Sequence, residues 1–117
     1  MKYNPGLHIL AEIYTDQYAL LRDFEPVRAL FIDKIQQYGL TSVGEVFHSF
    51  PDAGFTGVIC LTESHIAIHS WPEYGLATFD IYLSNFKKDN DTITRALFED
   101  TLAFFKTTRH TQEEVKR

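Results

Sequence analysis

Residues 61–73 read LTESHIAIHSWPE, a strand-like stretch that carries an unusual number of reactive side chains. Within it, Ser64 offers a hydroxyl nucleophile, Glu63 a carboxylate, and His69 an imidazole that can accept a proton. A half-buried strand alternates apolar and polar residues and needs none of this chemistry. The stretch is therefore the first candidate for a functional site.

Two familiar chemistries fit this stretch poorly. A zinc site would combine His65 and His69 with His48, but no cysteine or histidine pair has the spacing of structural zinc sites. A serine hydrolase would need a G-x-S-x-G elbow at a strand-to-helix turn, whereas Ser64 lies between two predicted strands. We therefore expect no metal site. The simplest structural interpretation leaves the two strand histidines hydrogen-bonded or solvated.

The composition is that of a globular protein. Hydrophobic residues make up 44% of the 117 residues and aromatic residues 15%, which is enough to form one core and one domain, residues 1–117. The net charge of -5 argues against a nucleic-acid partner, since phosphate binding needs a basic surface. Cys60 is the single cysteine, and its apolar neighbours predict a buried core position. Without a signal-peptide pattern or a long apolar run, we expect a cytoplasmic protein.

Hydrophobic periodicity predicts the element order β-α-β-β-β-β-α. The predicted strands cover residues 6–15, 40–50, 55–61, 65–71 and 75–84, and the predicted helices cover 23–39 and 92–106. The polar residues after the second helix are expected to form a loosely ordered tail. This order favours a two-layer α+β sandwich with one antiparallel sheet and the helices on one face.

The sequence resembles the S-adenosylmethionine decarboxylase proenzymes in their small prokaryotic form. The resemblance runs through GLHILAEIY (6–14), VGEVFHSF (43–50) and GFTGVICLTESHIAIHSWPEYGLATFDIYLS (54–84). Its ordered core, ESHIAIHSWPEYG (63–75), is far more specific than a three-residue motif. The resemblance implies an enzyme whose pyruvoyl group is made from its own serine, with no bound pyridoxal and no metal.

The resemblance also implies how that group would form. The Ser64 hydroxyl attacks the carbonyl of Glu63, and the peptide becomes an ester. β-Elimination then separates residues 1–63 from residues 64–117, and Ser64 becomes the pyruvoyl group. His69 matches the base of the elimination, and Thr56 falls where the family usually has a serine that assists cleavage.

Strand geometry adds one expectation about this processing site. In a single regular strand Ser64 and His69 would point to opposite faces. Both must reach one peptide bond, so we expect the chain to bend near residues 62–65.

The substrate implied by the resemblance is S-adenosylmethionine, whose decarboxylated form donates aminopropyl groups to spermidine. Phe50 matches the aromatic residue that stacks on adenine, and Glu73 matches the carboxylate that holds the ribose hydroxyls. Trp71 and His65 are further candidate substrate-binding residues. The resemblance implies a homodimer as well, because the small form is about half of the fused eukaryotic enzyme. Apolar positions on an open sheet face would join its two subunits.

One position departs from the family pattern. The stretch DIYLSN carries Ser84 where the family usually has the cysteine that reprotonates the decarboxylated substrate. A serine hydroxyl is a far poorer acid than a thiol, whose pKa is normally near ~8.5. The proton could come through Ser84 by way of a water molecule. It could also come from Cys60 as a substitute thiol. The departure also leaves open decarboxylation of ornithine or arginine, or a weakly active or inactive regulatory paralogue.

Overall fold

The computed structural model describes residues 2–117, which form one six-stranded antiparallel sheet. Its strands are β1 Leu7–Tyr14, β2 Ser42–Ser49, β3 Phe55–Leu61, β4 Ser64–Trp71, β5 Leu76–Leu83 and β6 Arg109–Lys116. They lie in the order β2-β3-β4-β5-β1-β6. The strand that carries the reactive side chains, β4, is therefore central and pairs with β3 and β5.

Three helices cover one face of this sheet, α1 Tyr18–Arg22, α2 Glu25–Gln37 and α3 Asp91–Phe104. Helical spacing in α2 places Val27, Phe31 and Ile35 on its buried side. The Phe31 ring stacks on Phe79 of β5 with ring centroids 5.7 Å apart, and Phe79 also stacks on Phe98 of α3. Burial of such rings against alternate strand residues holds the two layers together. The predicted two-layer α+β sandwich with helices on one face is confirmed.

The prediction of a loosely ordered tail is wrong. Residues Arg109–Lys116 form β6, which pairs with β1 along its whole length. Its side chains are exposed and, apart from Val115, polar, so its sequence lacks the apolar alternation by which strands are recognised. Backbone pairing and ion pairs hold it instead, with Glu114 bound to Arg95 and Lys116 to Asp91, both on α3.

The other sheet face is open. Odd-numbered residues of β4 and even-numbered residues of β1 and β5 point away from the helices, because their neighbours are buried in the core. Exposed apolar side chains lie on this face on several strands, namely Leu10, Val46, Val58, Trp71 and Val115. Within residues 2–117, no helix is long and apolar enough to cross a membrane.

Candidate functional site

The first part of the site is the hairpin between β3 and β4. Leu61 pairs with Ser64, so only Thr62 and Glu63 form the turn. Ser64 has a φ of 155°, which side-chain-bearing residues rarely adopt. The carbonyl oxygen of Glu63 accepts a hydrogen bond from the Ser84 backbone N–H at 2.7 Å. The peptide between Glu63 and Ser64 is therefore held in an unusual conformation with its carbonyl polarised.

A cavity of about 510 Å³ opens beside this hairpin. Glu63 and Ser84 line it together with Lys87 and Lys88, so its wall carries both signs of charge. The buried Asn90 fixes the wall, since its amide Nδ2 donates to the Ser84 carbonyl at 2.9 Å. The structure thus places Glu63 and Ser84 on one cavity wall, next to Ser64 in the chain.

The second part of the site is a cavity of about 500 Å³ at the other end of β4. It gathers five predicted site residues from separate elements, Phe50, Thr56, His69, Trp71 and Glu73. Its aromatic walls and single carboxylate are typical of a pocket for a ligand with a flat ring and a few polar groups.

Sheet register explains why Thr56 and His69 meet in this cavity. The two residues are direct cross-strand partners on β3 and β4, and the Thr56 hydroxyl shares a hydrogen bond with His69 Nδ1. This contact orients the imidazole and leaves its Nε2 atom outside the hydrogen bond to Thr56. The Thr56 hydroxyl is therefore in the right place to fix the orientation of the His69 ring.

Two short turns place the remaining cavity residues. Phe50 lies 47% exposed at the start of a turn closed by the hydrogen bond from its N–H to the Gly54 carbonyl. A Cβ at Gly54 would lie 2.2 Å from the Ser70 carbonyl oxygen, so only glycine lets this turn pack on β4. A 3₁₀ turn, Pro72–Tyr74, then sets Glu73 at the opposite rim.

The two parts of the site are separate within one chain. Ser64 and His69 lie five residues apart on a continuous strand, about 16 Å at ~3.3 Å per residue. The unusual φ at Ser64 does not shorten this distance, because the strand runs regularly from there to Trp71. The expectation that a bend brings Ser64 and His69 to one peptide bond within the same chain is wrong.

The structure also corrects the position of Cys60. This cysteine is exposed on the open face, where it pairs with His65 across β3 and β4. The run GVICL is apolar at every residue after the glycine, so its pattern does not reveal which residues alternate outward.

A third cluster was not predicted from the sequence. His65 Nε2 and His8 Nε2 lie 2.8 and 2.9 Å from the same carboxylate oxygen of Asp80. The Tyr82 ring packs against both imidazoles, and its hydrogen bond with Tyr3 raises the pKa of the Tyr82 hydroxyl, with burial adding to the rise. The outward parity of His8 on β1 and Asp80 on β5 is the only sequence signal for this cluster.

A two-layer sandwich with cavities at both ends of its central strand β4 points to one class of protein. The sequence model of the S-adenosylmethionine decarboxylase family matches residues 7–117. A crystal structure of adenosylmethionine decarboxylase from Aquifex aeolicus VF5 superposes with a TM-score of 0.85 at 29% identity, covering 99% of this chain and 92% of that one.

Curated relatives agree with this match. An S-adenosylmethionine decarboxylase proenzyme from Picrophilus torridus is 34% identical over 122 residues, covering 99% of this chain and 94% of the relative. A proenzyme from Persephonella marina is 44% identical over 82 residues, 70% of this chain, and this match spans 62% of the relative's length. The chain belongs to the S-adenosylmethionine decarboxylase family, as its sequence predicts.

Proposed function

We propose that this chain is a self-processing, pyruvoyl-dependent decarboxylase of S-adenosylmethionine whose product serves as an aminopropyl donor for spermidine synthesis. The observation that carries the proposal is the hairpin at Ser64. There, a serine with an unusual φ follows a carbonyl held by the Ser84 N–H at 2.7 Å. Family membership and the aromatic cavity support the choice of substrate.

The hairpin supplies what the first step of processing requires. The Ser64 hydroxyl attacks the Glu63 carbonyl carbon, and negative charge develops on the carbonyl oxygen. The Ser84 N–H already points at that oxygen and stabilises the charge, as an oxyanion-hole donor does. The unusual backbone of Ser64 also raises the energy of the intact peptide relative to the ester.

The second step needs a base near the Ser64 α-hydrogen. His69 suits this role chemically, because the hydroxyl of Thr56 orients its imidazole and Nε2 remains available. Removal of the α-hydrogen expels the ester oxygen, so the chain separates into residues 1–63 and 64–117. Elimination leaves residue 64 as dehydroalanine. Its imine tautomer adds water and releases ammonia, which gives the pyruvoyl group.

The hairpin fits the pyruvoyl group that the family implies. Residue 64 begins β4 and is the sheet partner of Leu61 and Leu83, so strand pairing keeps this end of the chain in place after the cut. When present, the group would supply a carbonyl that condenses with the substrate amine and stabilises the carbanion left by loss of carbon dioxide. We expect no metal in this reaction.

The aromatic cavity suits the nucleoside part of the substrate. Phe50 offers an exposed ring for stacking, and Glu73 lies across the opening with a carboxylate for two ribose hydroxyls. Trp71 closes the wall at the end of β4. Base–aromatic stacking is worth about 1–3 kcal/mol in nucleic-acid sites, so this cavity favours a nucleoside substrate over ornithine or arginine.

A homodimer would join the two half-sites. Consider a two-fold axis that lies between two open faces and crosses the strands near Ala67, midway between Ser64 and His69. This rotation reverses strand direction, so the Ser64 end of each chain lies over the His69 end of its partner. The exposed apolar residues of the open face would then be buried between the two sheets.

Intact-mass analysis after purification tests the proposed function. We expect two fragments divided between Glu63 and Ser64, the later one beginning with pyruvoyl, and carbon dioxide release from S-adenosylmethionine. Ser64→Ala should remain uncleaved, and His69→Ala should stop at the ester, which hydroxylamine would then cut. A wild-type protein that stays intact after long incubation would refute self-processing. A cleaved protein that releases carbon dioxide only from ornithine or arginine would refute S-adenosylmethionine as the substrate.

A further inference from the structure

The cluster of His8, His65 and Asp80 is a second arrangement of titratable groups on the open face. The two imidazole Nε2 atoms converge on one Asp80 oxygen, and His8 is only 7% exposed. The remaining titratable neighbours of His65 are Tyr82 on β5 and the thiol of Cys60 on β3. His65 is therefore held on one side by a carboxylate and opens toward the face on which the substrate would lie.

Hydrogen bonding fixes which ring nitrogen of His8 carries the proton. The Arg117 guanidinium Nη1 lies 3.4 Å from His8 Nδ1 and can only donate. His8 Nδ1 is therefore the acceptor, so its Nε2–H donates to Asp80. Because the same carboxylate oxygen also accepts from His65 Nε2–H, the Nδ1 atom of His65 is left free.

A metal ion is the competing explanation, since the three ligand atoms lie within 4.8 Å of one another. Metal binding would need both Nε2 atoms unprotonated, so the proton of His8 would move to Nδ1. That N–H would then face the Arg117 guanidinium, donor against donor, whereas metal-binding histidines give this N–H to an acceptor. The geometry therefore favours a hydrogen-bonded Asp–His pair over a metal site.

His65 lies next to the residue that would become the pyruvoyl group. His65 directly follows residue 64, and consecutive strand residues lie about 3.3 Å apart. Resting on the proposed function, we propose that the Asp80–His65 pair supplies the proton that the resembling enzymes take from a thiol at the position of Ser84. In this assignment His65 is the acid and Asp80 is a positioning residue.

The proton transfer balances within this chain and solvent. Loss of carbon dioxide leaves an electron pair on the substrate α-carbon, and the proton on Nδ1 of the His65 imidazolium moves to that carbon. The neutral imidazole keeps its Nε2–H on Asp80 and regains a proton from water. The Asp80 carboxylate stabilises the imidazolium and fixes its orientation, as the aspartate of a catalytic triad does.

Kinetics of His65→Asn provide the first test. The variant should cleave itself, keep its KM and lose kcat, by at most ~10²–10⁴-fold for a positioned acid. Without the acid, the proton should more often reach the carbon that belongs to the pyruvoyl group, which converts this group to alanine. Mass spectrometry should therefore find, per turnover, more of the 64–117 fragment with alanine at its start. Cys60→Val removes the thiol beside His65 and should change neither quantity. An unchanged kcat and an unchanged alanine fraction in His65→Asn would overturn the proposal. A large loss of kcat in Cys60→Val would overturn it as well.

Histidine NMR provides a readout that does not depend on turnover. In uncleaved Ser64→Ala protein labelled with ¹⁵N, long-range spectra should show His8 and His65 protonated at Nε2. Asp80→Asn should abolish this pattern, and Asp80→Glu should restore it and part of kcat. An Nδ1–H tautomer at His65, or stoichiometric Zn²⁺ shifts at both histidines, would contradict the assignment. A wild type that neither cleaves nor decarboxylates overturns the proposed function as well, whereas an active wild type beside an equally active His65→Asn overturns only this inference.

Discussion

At the scale of single residues, the backbone and the side chain of Ser84 have different proposed roles, which the sequence does not separate. Its backbone N–H polarises the Glu63 carbonyl, and this contact is independent of the side chain. Its side chain replaces the thiol of the resembling enzymes. Under the proposed function, we therefore expect the absence of a thiol here to leave self-processing intact and to affect only the later proton transfer.

Ser84→Cys tests this separation. We expect unchanged self-cleavage and a higher kcat on S-adenosylmethionine, with a gain bounded by the ~10²–10⁴-fold typical of positioned acids. The gain should be larger in the His65→Asn background than in the wild type, because two acids for one proton are redundant. Steady-state formation of the decarboxylated product by all four proteins measures the gains in kcat, and intact-mass analysis measures self-cleavage. Equal gains in the two backgrounds would mean that the two positions act independently.

At the residue level, the sequence itself shows where reactive side chains are concentrated. Ser64 and His69 lie in one short motif, and the structure gives each a distinct chemical environment. The sequence could not bring His8 and Asp80 to His65, because only the register of β1, β5 and β4 makes them neighbours. Long-range register depends on the pairing of whole strands, which no local pattern specifies.

At the scale of elements, β6 shows why local patterns are incomplete. It forms an edge strand with exposed side chains, so burial does not select apolar residues along it. The periodic helices and the inner strands were predictable because one of their faces is buried. Short α1 was missed for a related reason, since only Leu21 among its residues is buried.

The ion pair between Arg95 and Glu114 should contribute to the stability of β6 in a pH-dependent way. Two hydrogen bonds from the guanidinium, at 2.6 and 2.8 Å, hold the pKa of Glu114 below its usual range. A carboxylate with a lowered folded-state pKa stabilises the fold above its unfolded pKa, near ~4.3, and loses this contribution as pH falls through the folded value. The pair is partly exposed, so its contribution is at most about 1 kcal/mol.

Glu114→Gln should therefore lower the free energy of unfolding at pH 7 by up to about 1 kcal/mol, with no difference from wild type near about pH 3. Urea unfolding at the two pH values measures this change. Glu113→Gln is the matched control, since Glu113 is the adjacent residue on the opposite face and forms no ion pair within residues 2–117. Equal destabilisation by Glu114→Gln at both pH values would show that packing, not charge, is what the variant loses.

At the scale of the whole molecule, the separation of Ser64 from His69 makes the proposed homodimer necessary for the proposed self-processing. The two half-sites lie about 16 Å apart on one strand, so one chain cannot apply its own His69 to its own Ser64. The sequence contains both residues in one short motif and does not reveal that the fold separates them. That division follows from strand pairing, since Ser64 and His69 belong to opposite ends of the same regular ladder.

Two inactive variants should therefore repair each other. In a heterodimer of Ser64→Ala and His69→Ala chains, the His69→Ala chain supplies Ser64 and its partner supplies His69, which restores one complete site. We expect co-expression, with the two chains distinguished by mass, to cleave only the His69→Ala chain, while each variant alone yields no pyruvoyl fragment. Half of the sites in such a heterodimer lack both residues and should stay inactive. If the His69→Ala chain remains uncleaved in a verified heterodimer, the two half-sites do not meet across the dimer, and the face-to-face arrangement near Ala67 is wrong.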